Sequence, residues 1–239
     1  MDFREQLVHD AEENCPYLTE QVARMPLRWQ MRSLSGEELD ASLSEGDRRV
    51  GRMLYRTQCP SCNACEPLRV VVSDFKPSKS QRRVWNKNQD IKVTVGPAVF
   101  SQERLELYNR HKIDRGLSID GKVMTREGYE GWFLRSCVQT VEFCFEINGR
   151  LAGVSIVDVG ARDTSSVYHF FDPELSSRSL GTFSALVEIA WGQSRGGRYH
   201  YLGLYVGACD RLNYKARFKP NERLSCGVWG SETAEVVGG

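Results

Sequence analysis

Two alternating apolar segments, Val141 to Ile147 and Leu151 to Val159, flank the dipeptide Asn148-Gly149. Asn-Gly accepts the positive φ of a tight type I′ turn, so the stretch predicts a β-hairpin and commits the middle of the chain to a sheet. A third strand is predicted over Ser166 to Phe171, ending at Asp172-Pro173. A helix over Leu180 to Ser194 follows, stopped by Gly196-Gly197. Tyr199 to Val206 supplies a further strand, Asp210 to Phe218 a helix and Leu224 to Trp229 a last strand. Hairpin, strand, helix, strand, helix, strand is an α+β order built on a mixed sheet flanked by helices.

The first half of the chain is less regular. Asp2, Glu5, Asp10, Glu12, Glu13 and Glu20 against Arg4 read as an acidic helical lead-in lying loosely on the body. Ser35 with Glu38 fits a capping box, and the helix it opens should stop at Gly46. Val50 to Tyr55 and Leu68 to Phe75 read as strands on either side of a cysteine cluster, and Ile91 to Val95 as another. Ser101 caps a helix through Lys112, Thr125 opens one carrying Tyr129, Trp132, Phe133 and Leu134, and residues 113–123 form a polar loop between them. Two lobes are expected: residues 1–100 as a Cys-rich α+β lobe with a basic segment, and residues 101–239 as the main α+β domain. The order in the second is compatible with an acetyltransferase-like fold, whose splayed sheet opens a cleft beside the helix after its fourth strand.

Composition excludes more than it selects. Lys plus Arg total 32 against 31 Asp plus Glu, so bulk charge names no partner, and 41% hydrophobic residues are ample for a core. The longest apolar stretches are too short to cross a bilayer, and the N-terminus has no basic segment leading into an apolar run. The expectation is a cytoplasmic protein with no membrane partner. In a reducing compartment its eight cysteines read as thiols, metal ligands or small buried hydrophobes.

Cys59, Cys62 and Cys65 have C-x2-C-x2-C spacing, and Cys15 would complete a tetrathiolate for a structural zinc or an iron–sulfur cluster. The plainer reading is reduced thiols packed between strands. Neutrality overall also hides a patch: Lys76, Lys79, Arg82, Arg83, Lys87 and Lys92 face only Asp90, and Trp85 with four amide side chains is interleaved among them. That mixture suits phosphate contact and base stacking, although most charge runs are solvated helix faces. Arg211, Lys215, Arg217, Lys219 and Arg223 against Glu222 form a second basic cluster, and the two could line one groove. Ser177 to Thr182 precedes a helix, where free amides at Gly181 and Thr182 favour a phosphate or an oxyanion, but the loop is thin in glycine for coenzyme A. The four histidines are scattered and no Gly-x-Ser-x-Gly elbow is present. Cys209 and Cys226 read as packing residues and His169 as a satisfied, partly buried imidazole.

Cys15-Pro16-Tyr17-Leu18, the run Arg48 to Arg56 and the cluster Cys59 to Arg69 resemble the N-terminal region of bacterial aminoacyl-tRNA-protein transferases. The resemblance continues through Ser73 to Arg83, Phe170-Phe171-Asp172-Pro173, Ser179 to Phe183, Tyr201 to Tyr205 and Tyr214 to Pro220, in the family's order. It implies an acetyltransferase-like enzyme that moves an amino acid from tRNA to the N-terminal α-amine of a protein, creating an N-degron for the degradation machinery. The shorter bacterial form transfers leucine to N-terminal Asp or Glu; eukaryotic relatives transfer arginine. An aminoacyl ester is already activated, so positioning and oxyanion stabilisation suffice, with no cofactor and no covalent intermediate. Asp172 is the expected proton acceptor, with Tyr205 as the alternative. Arg82, Arg83, Lys215 and Arg217 are candidates to read the acceptor's carboxylate, and Lys76, Lys79, Trp85, Lys87 and Lys219 to hold tRNA. Two other readings stand beside this one: a coenzyme A-dependent N-acetyltransferase, and a non-enzymatic zinc-ribbon RNA-binding module.

Overall fold

The computed structural model describes residues 4–118 and 121–231; Asp2 and residues 119 and 120 of the polar loop lie outside the described residues. The acidic N-terminal segment is not helical. It forms strands β1 (Glu5–His9) and β2 (Glu12–Asn14), which pair antiparallel with β4 (Leu27–Gln30) and β3 (Val22–Arg24). Charge pairing between strands favours this: Arg24 grips Asp10 with two bonds of 2.7 Å, and Arg28 reaches both Glu5 and Asp47. Glu5 and Asp10 have arginine partners on strands distant in sequence, which a count of local charge does not reveal.

Helix α1 (Gly36–Ser44) carries the expected capping box of Ser35 and Glu38 and ends before Gly46 at φ +90°. The expected strand over 50–55 is instead a hairpin, β5 (Arg48–Val50) and β6 (Met53–Tyr55), turned at Gly51, whose φ of +57° favours glycine. These strands complete a small sheet of order β1-β4-β6-β5.

The remaining elements are β7 (Glu66–Val71), α2 (Lys79–Lys87), β8 (Lys92–Pro97), α3 (Gln102–Asp114), α4 (Arg126–Tyr129) with a π turn over Glu130–Leu134, β9 (Thr140–Ile147), β10 (Arg150–Val159) and β11 (Thr164–Phe171). A 3-10 turn (Pro173–Arg178) then leads to α5 (Leu180–Ser194), β12 (Tyr199–Tyr205), α6 (Asp210–Asn213), a second 3-10 turn (Tyr214–Arg217), β13 (Asn221–Ser225) and β14 (Val228–Ser231). The β9–β10 hairpin turns as expected, with Asn148 and Gly149 at φ +51° and +74°. Two late elements differ from expectation. The helix from Asp210 breaks into α6 and the 3-10 turn, and the single last strand is a hairpin reversed at Cys226 and Gly227, both at positive φ.

The main sheet has order β14-β13-β7-β12-β11-β10-β9-β8 and is antiparallel except between β11 and β12. It takes β7 and β8 from before residue 100, so a boundary there does not coincide with a break in the sheet. Helices cover both faces of this mixed α+β sheet. Phe143, Phe145, Leu68 and Val70 pack under Leu180, Phe183, Leu186 and Ile189 of α5, while Val154, Ile156 and Phe170 pack under Leu105 and Tyr108 of α3 with Tyr129 and Phe133. No described helix is long and apolar enough to cross a membrane.

One buried ion pair joins the small sheet to the large one. Arg49 of β5 donates to Asp158 of β10 through Nε at 2.7 Å and Nη2 at 2.8 Å, both side chains are 2% exposed, and Thr140 Oγ1 donates to the same carboxylate at 2.9 Å. Removing one partner strands a desolvated charge, which typically costs about 3–5 kcal/mol. Asp158→Ala is therefore expected to lower unfolding stability by about that amount, read as a reduced urea midpoint; an unchanged midpoint contradicts this account of the junction.

Candidate active site where two parallel strands part

The ladder between β11 and β12 covers only Thr164 opposite His200 and Ser165 opposite Tyr201. Beyond it β11 stays with β10 and β12 with β7, so the two strands diverge toward their C-terminal ends. Divergence leaves backbone groups that need other partners. Arg48 of β5 supplies one set: Nη1 donates to Ser165 Oγ at 2.9 Å and Nη2 to the Ser166 carbonyl. Its guanidinium fits there because residue 203 on β12 is glycine. At φ +89° a side chain is strained, and a Cβ would sit 3.0 Å from Arg48 Nη2.

Lys215, on the 3-10 turn after α6, supplies the next. Its Nζ donates to the Leu204 carbonyl at 2.8 Å. Leu204 lies opposite Pro67 of β7, which has no N–H to offer, and β11 has already departed. Burial first, then the charge of Arg48, pulls the Lys215 amine down to about 7. The residue as a whole is half-buried. Beside it Tyr205 lies under the Arg223 guanidinium at 3.8 Å, and burial pushes the Tyr214 hydroxyl up to about 12. Across the opening Arg115 sits 5.2 Å from the Phe171 ring, and its charge reaches Tyr168 and Tyr214.

A buried polar chain stiffens the floor. Thr164 Oγ1 lies 2.8 Å from His200 Nδ1, His200 Nε2 lies 3.2 Å from Glu188, and Ser166 bonds to both. Ser184 donates to Glu188 at 2.6 Å and contacts Ser155, which lies 2.8 Å from His169 Nδ1. Burial opposes the Glu188 carboxylate, but His200 and the two serine hydroxyls outweigh it and hold it below the usual carboxylate range. The chain thus ties α5 to β10, β11 and β12. His169 is not the fully satisfied imidazole expected: Nε2 finds no partner, the ring stacks on Phe171 at 5.5 Å, and burial pulls it down to about 4.

Asp172 is engaged as a cap and as an ion-pair partner. It is buried, Oδ1 accepts from the Glu174 amide at 3.1 Å, and Oδ2 pairs with Arg110 at 3.0 Å. A carboxylate directly before Pro173 at the start of a helical turn has the position and chemistry of an N-cap. At the start of α5, Gly181 has open space where a side chain would stand, whereas the Thr182 amide already donates to Ser179 at 3.0 Å.

Helix α2 and the segment after α6 are in contact. Gln81 is buried on the inner side of α2 and donates to the Arg217 carbonyl at 3.2 Å, and Phe75 stacks on Phe218 at 6.2 Å. Lys76, Lys79, Arg82, Arg83 and Lys87 are exposed on one side of this seam, and Arg217 and Lys219 on the other. Trp85 leans on Phe183 at 5.7 Å yet remains 36% exposed.

The cysteines are neighbours without converging. Burial pushes the Cys65 thiol up to about 12, reinforced by Cys15, Cys59, Cys62 and Cys209, and Cys15 Sγ accepts from the Leu18 amide at 3.4 Å. Among the described residues, no three His, Cys, Asp or Glu side chains are placed to hold a metal. The donor set has the right chemistry for zinc or an iron–sulfur cluster, but not the geometry. Elsewhere, concavities of about 620 and 420 Å³ flank Arg162 and Arg198 at the far end of β12. Arg69 and Arg198 there are already paired with Glu222 and Asp163.

Arg48 and Arg115 escaped the sequence reading. Arg48 stands in a quoted motif, but only the folded β5 shows it reaching β11; Gly203 in Tyr-Leu-Gly-Leu-Tyr was the available signal. A permanent cation and a desolvated amine in a strand opening, next to a basic face, suit handling of an acyl group carried by a polyanion. The chain matches the model of the arginine-tRNA-protein transferase C terminus over residues 103–225 and that of its N terminus over residues 13–83. It is 37% identical to an aspartate/glutamate leucyltransferase of Marinobacter nauticus, covering 77% of this chain and 78% of that one. With the enzyme of the same name from Methylobacillus flagellatus the identity is 32%, over 90% and 87%. Among solved structures, FemX gives a TM-score of 0.44 at 6% identity, over 82% of this chain and 79% of that one. The chain belongs to the arginine-tRNA-protein transferase family. It is an aminoacyl-tRNA-protein transferase, which leaves the coenzyme A and RNA-binding-module readings without support.

Replacing Asp172 by Asn keeps a cap acceptor and removes the ion pair. The expected outcome is a loss of about 1–2 kcal/mol in stability with the single-turnover transfer rate within about threefold of the parent, since proton-transfer groups contribute 10²–10⁴-fold. A hundredfold slower transfer in a folded variant would restore Asp172 as the base.

Proposed function

We propose that the chain transfers leucine from leucyl-tRNA to the α-amine of cytoplasmic proteins beginning with Asp or Glu, giving an N-degron for the degradation machinery. The name shared by the relatives supports leucine and the acidic acceptors. The observation that carries the reading is the continuity of the α2 face, the 214–217 turn and the β11–β12 opening, which lets a polyanion lie outside while its terminal ester reaches in. Lys76, Lys79, Arg82, Arg83, Lys87, Arg217 and Lys219 serve tRNA phosphates on this reading, and the exposed face of Trp85 a base. Arg115 borders the opening with a guanidinium, a planar bidentate match to carboxylate, so it is the group to meet the acceptor's carboxylate.

The chemistry asks for placement more than activation. The ester is already reactive, and an α-amine of ordinary pKa about 7.7–8.0 is partly neutral in the cell. No cofactor takes part.

Leucyl-tRNA and arginyl-tRNA offered in parallel, with peptides beginning Asp, Glu and Ala, test donor and acceptor together. Leucine is expected on the Asp and Glu peptides and not on Ala; arginine transfer, or indifference to the first residue, defeats the proposal. For the α2 face, Lys79→Ala and Arg83→Ala are expected to weaken tRNA binding equally for every acceptor. Each should reduce the salt slope by about 0.7–1, and a slope unchanged in both removes α2 from the tRNA interface.

A further inference from the structure

The established reaction needs a proton acceptor, and Asp172 is engaged elsewhere. The attacking α-amine carries a surplus proton once its nitrogen bonds to the ester carbonyl carbon. That proton must leave before the bond to the ribose oxygen breaks, and the ribose oxygen must gain one as it departs. A group that can do both sits where an acyl carbon and a peptide terminus can meet, holds no fixed counter-ion and is neutral in part at cellular pH.

We propose that Lys215 is that group, taking the proton from the attacking α-amine and returning it to the departing ribose oxygen. Four observations converge on it. Its Nζ donates at 2.8 Å to the carbonyl of Leu204 on β12, beyond the point where β11 and β12 cease to pair, and the charge of Arg48, which is bonded to β11, reaches it. Among the described residues no carboxylate forms an ion pair with it. The groups whose charge reaches it are Arg48 from β5, which disfavours the ammonium, and Cys209 after β12, which favours it. Burial and Arg48 together leave the amine near pH 7, where donor and acceptor forms are both present. Arg48 is then a positioning residue. Its guanidinium is held by Ser165 and Ser166.

The step balances with the substrates alone. Neutral Lys215 accepts one proton as the C–N bond is completed, the tetrahedral carbon expels the ribose oxygen, and the ammonium protonates that oxygen. The products are the amide and uncharged tRNA, and the lysine is again neutral. This replaces the expectation that Lys215 pairs with the acceptor's carboxylate, because an amine that gives up its charge near neutrality is a weak partner for an anion.

The inference rests on the transferase reading but not on the identity of the amino acid, so whichever aminoacyl-tRNA the parent accepts is used. Failure of the parent with leucyl-tRNA but success with arginyl-tRNA would count against the donor proposal only. Single-turnover transfer to an Asp peptide is followed from pH 5.5 to 9.5 for the parent and Lys215→Arg, with tRNA affinity measured alongside. The expected result is a loss of about 10²–10⁴-fold in rate, tRNA affinity unchanged within about threefold, and loss of the inflection near pH 7, while the acceptor amine's own limb near pH 8 remains. A rate within threefold of the parent, or a change confined to the KM for acidic peptides, overturns the proposal. Should the variant not fold, trace acetylation of parent lysines, read peptide by peptide against pH, decides: an inflection near 7 for Lys215 supports the role, and one above 9 excludes it.

Discussion

Two parallel strands that pair for two residues and then separate set the terms for everything else in this molecule. A sheet interior does not tolerate unpaired amides and carbonyls, so the separation persists only because side chains from elsewhere take their place. Arg48 arrives from the small N-terminal sheet and Lys215 from the turn after β12, and each is held by a backbone carbonyl at the opening. Gly203 gives the guanidinium its room, and Pro67 gives the lysine its acceptor. Separation and chemistry therefore have one cause.

Placement of charge follows from the same arrangement. The chain is almost neutral, yet its cations are sorted into three environments. Arg49 is sealed against Asp158 and holds the sheets together; Arg48, Arg115 and Lys215 border the opening; the α2 lysines and arginines face solvent. Burial separates their properties. An arginine keeps its charge in each setting, whereas a lysine short of water and beside an arginine gives up part of it. Beneath the opening, the chain from Thr164 through His200, Ser166, Glu188, Ser184 and Ser155 to His169 joins helix to strands with few unmade bonds, which keeps the floor fixed.

What could be seen in the sequence was whatever depended on neighbours along the chain. The Asn148-Gly149 turn, the capping box at Ser35 and the span of α5 follow from local chemistry and stand as expected. The acidic N-terminal strands did not, because Glu5 and Asp10 are matched by Arg28 and Arg24, residues fourteen to twenty-three positions away. The split of the last strand turned on Cys226 adopting positive φ, which cysteine seldom does. At the site, the cationic run on α2 was legible from composition, and its exposed lysines and arginines are the ones the sequence marks. The engagement of Asp172 and the desolvation of Lys215 were not, since both depend on Arg110, Arg48 and Pro67 reaching them across the fold.

The most direct trial of the whole account is to locate the reacting end of the donor. A crystal structure with an adenosine whose 3′ oxygen is replaced by nitrogen, so that its leucyl group resists hydrolysis, would place the acyl carbonyl on one side of β12 or the other. The account predicts that carbonyl between the parted ends of β11 and β12, with Lys215 Nζ within about 3.5 Å of the bridging nitrogen, at the outer reach of a hydrogen bond. An acyl group seated at the opposite end of β12, against Arg162 and Arg198, would contradict it.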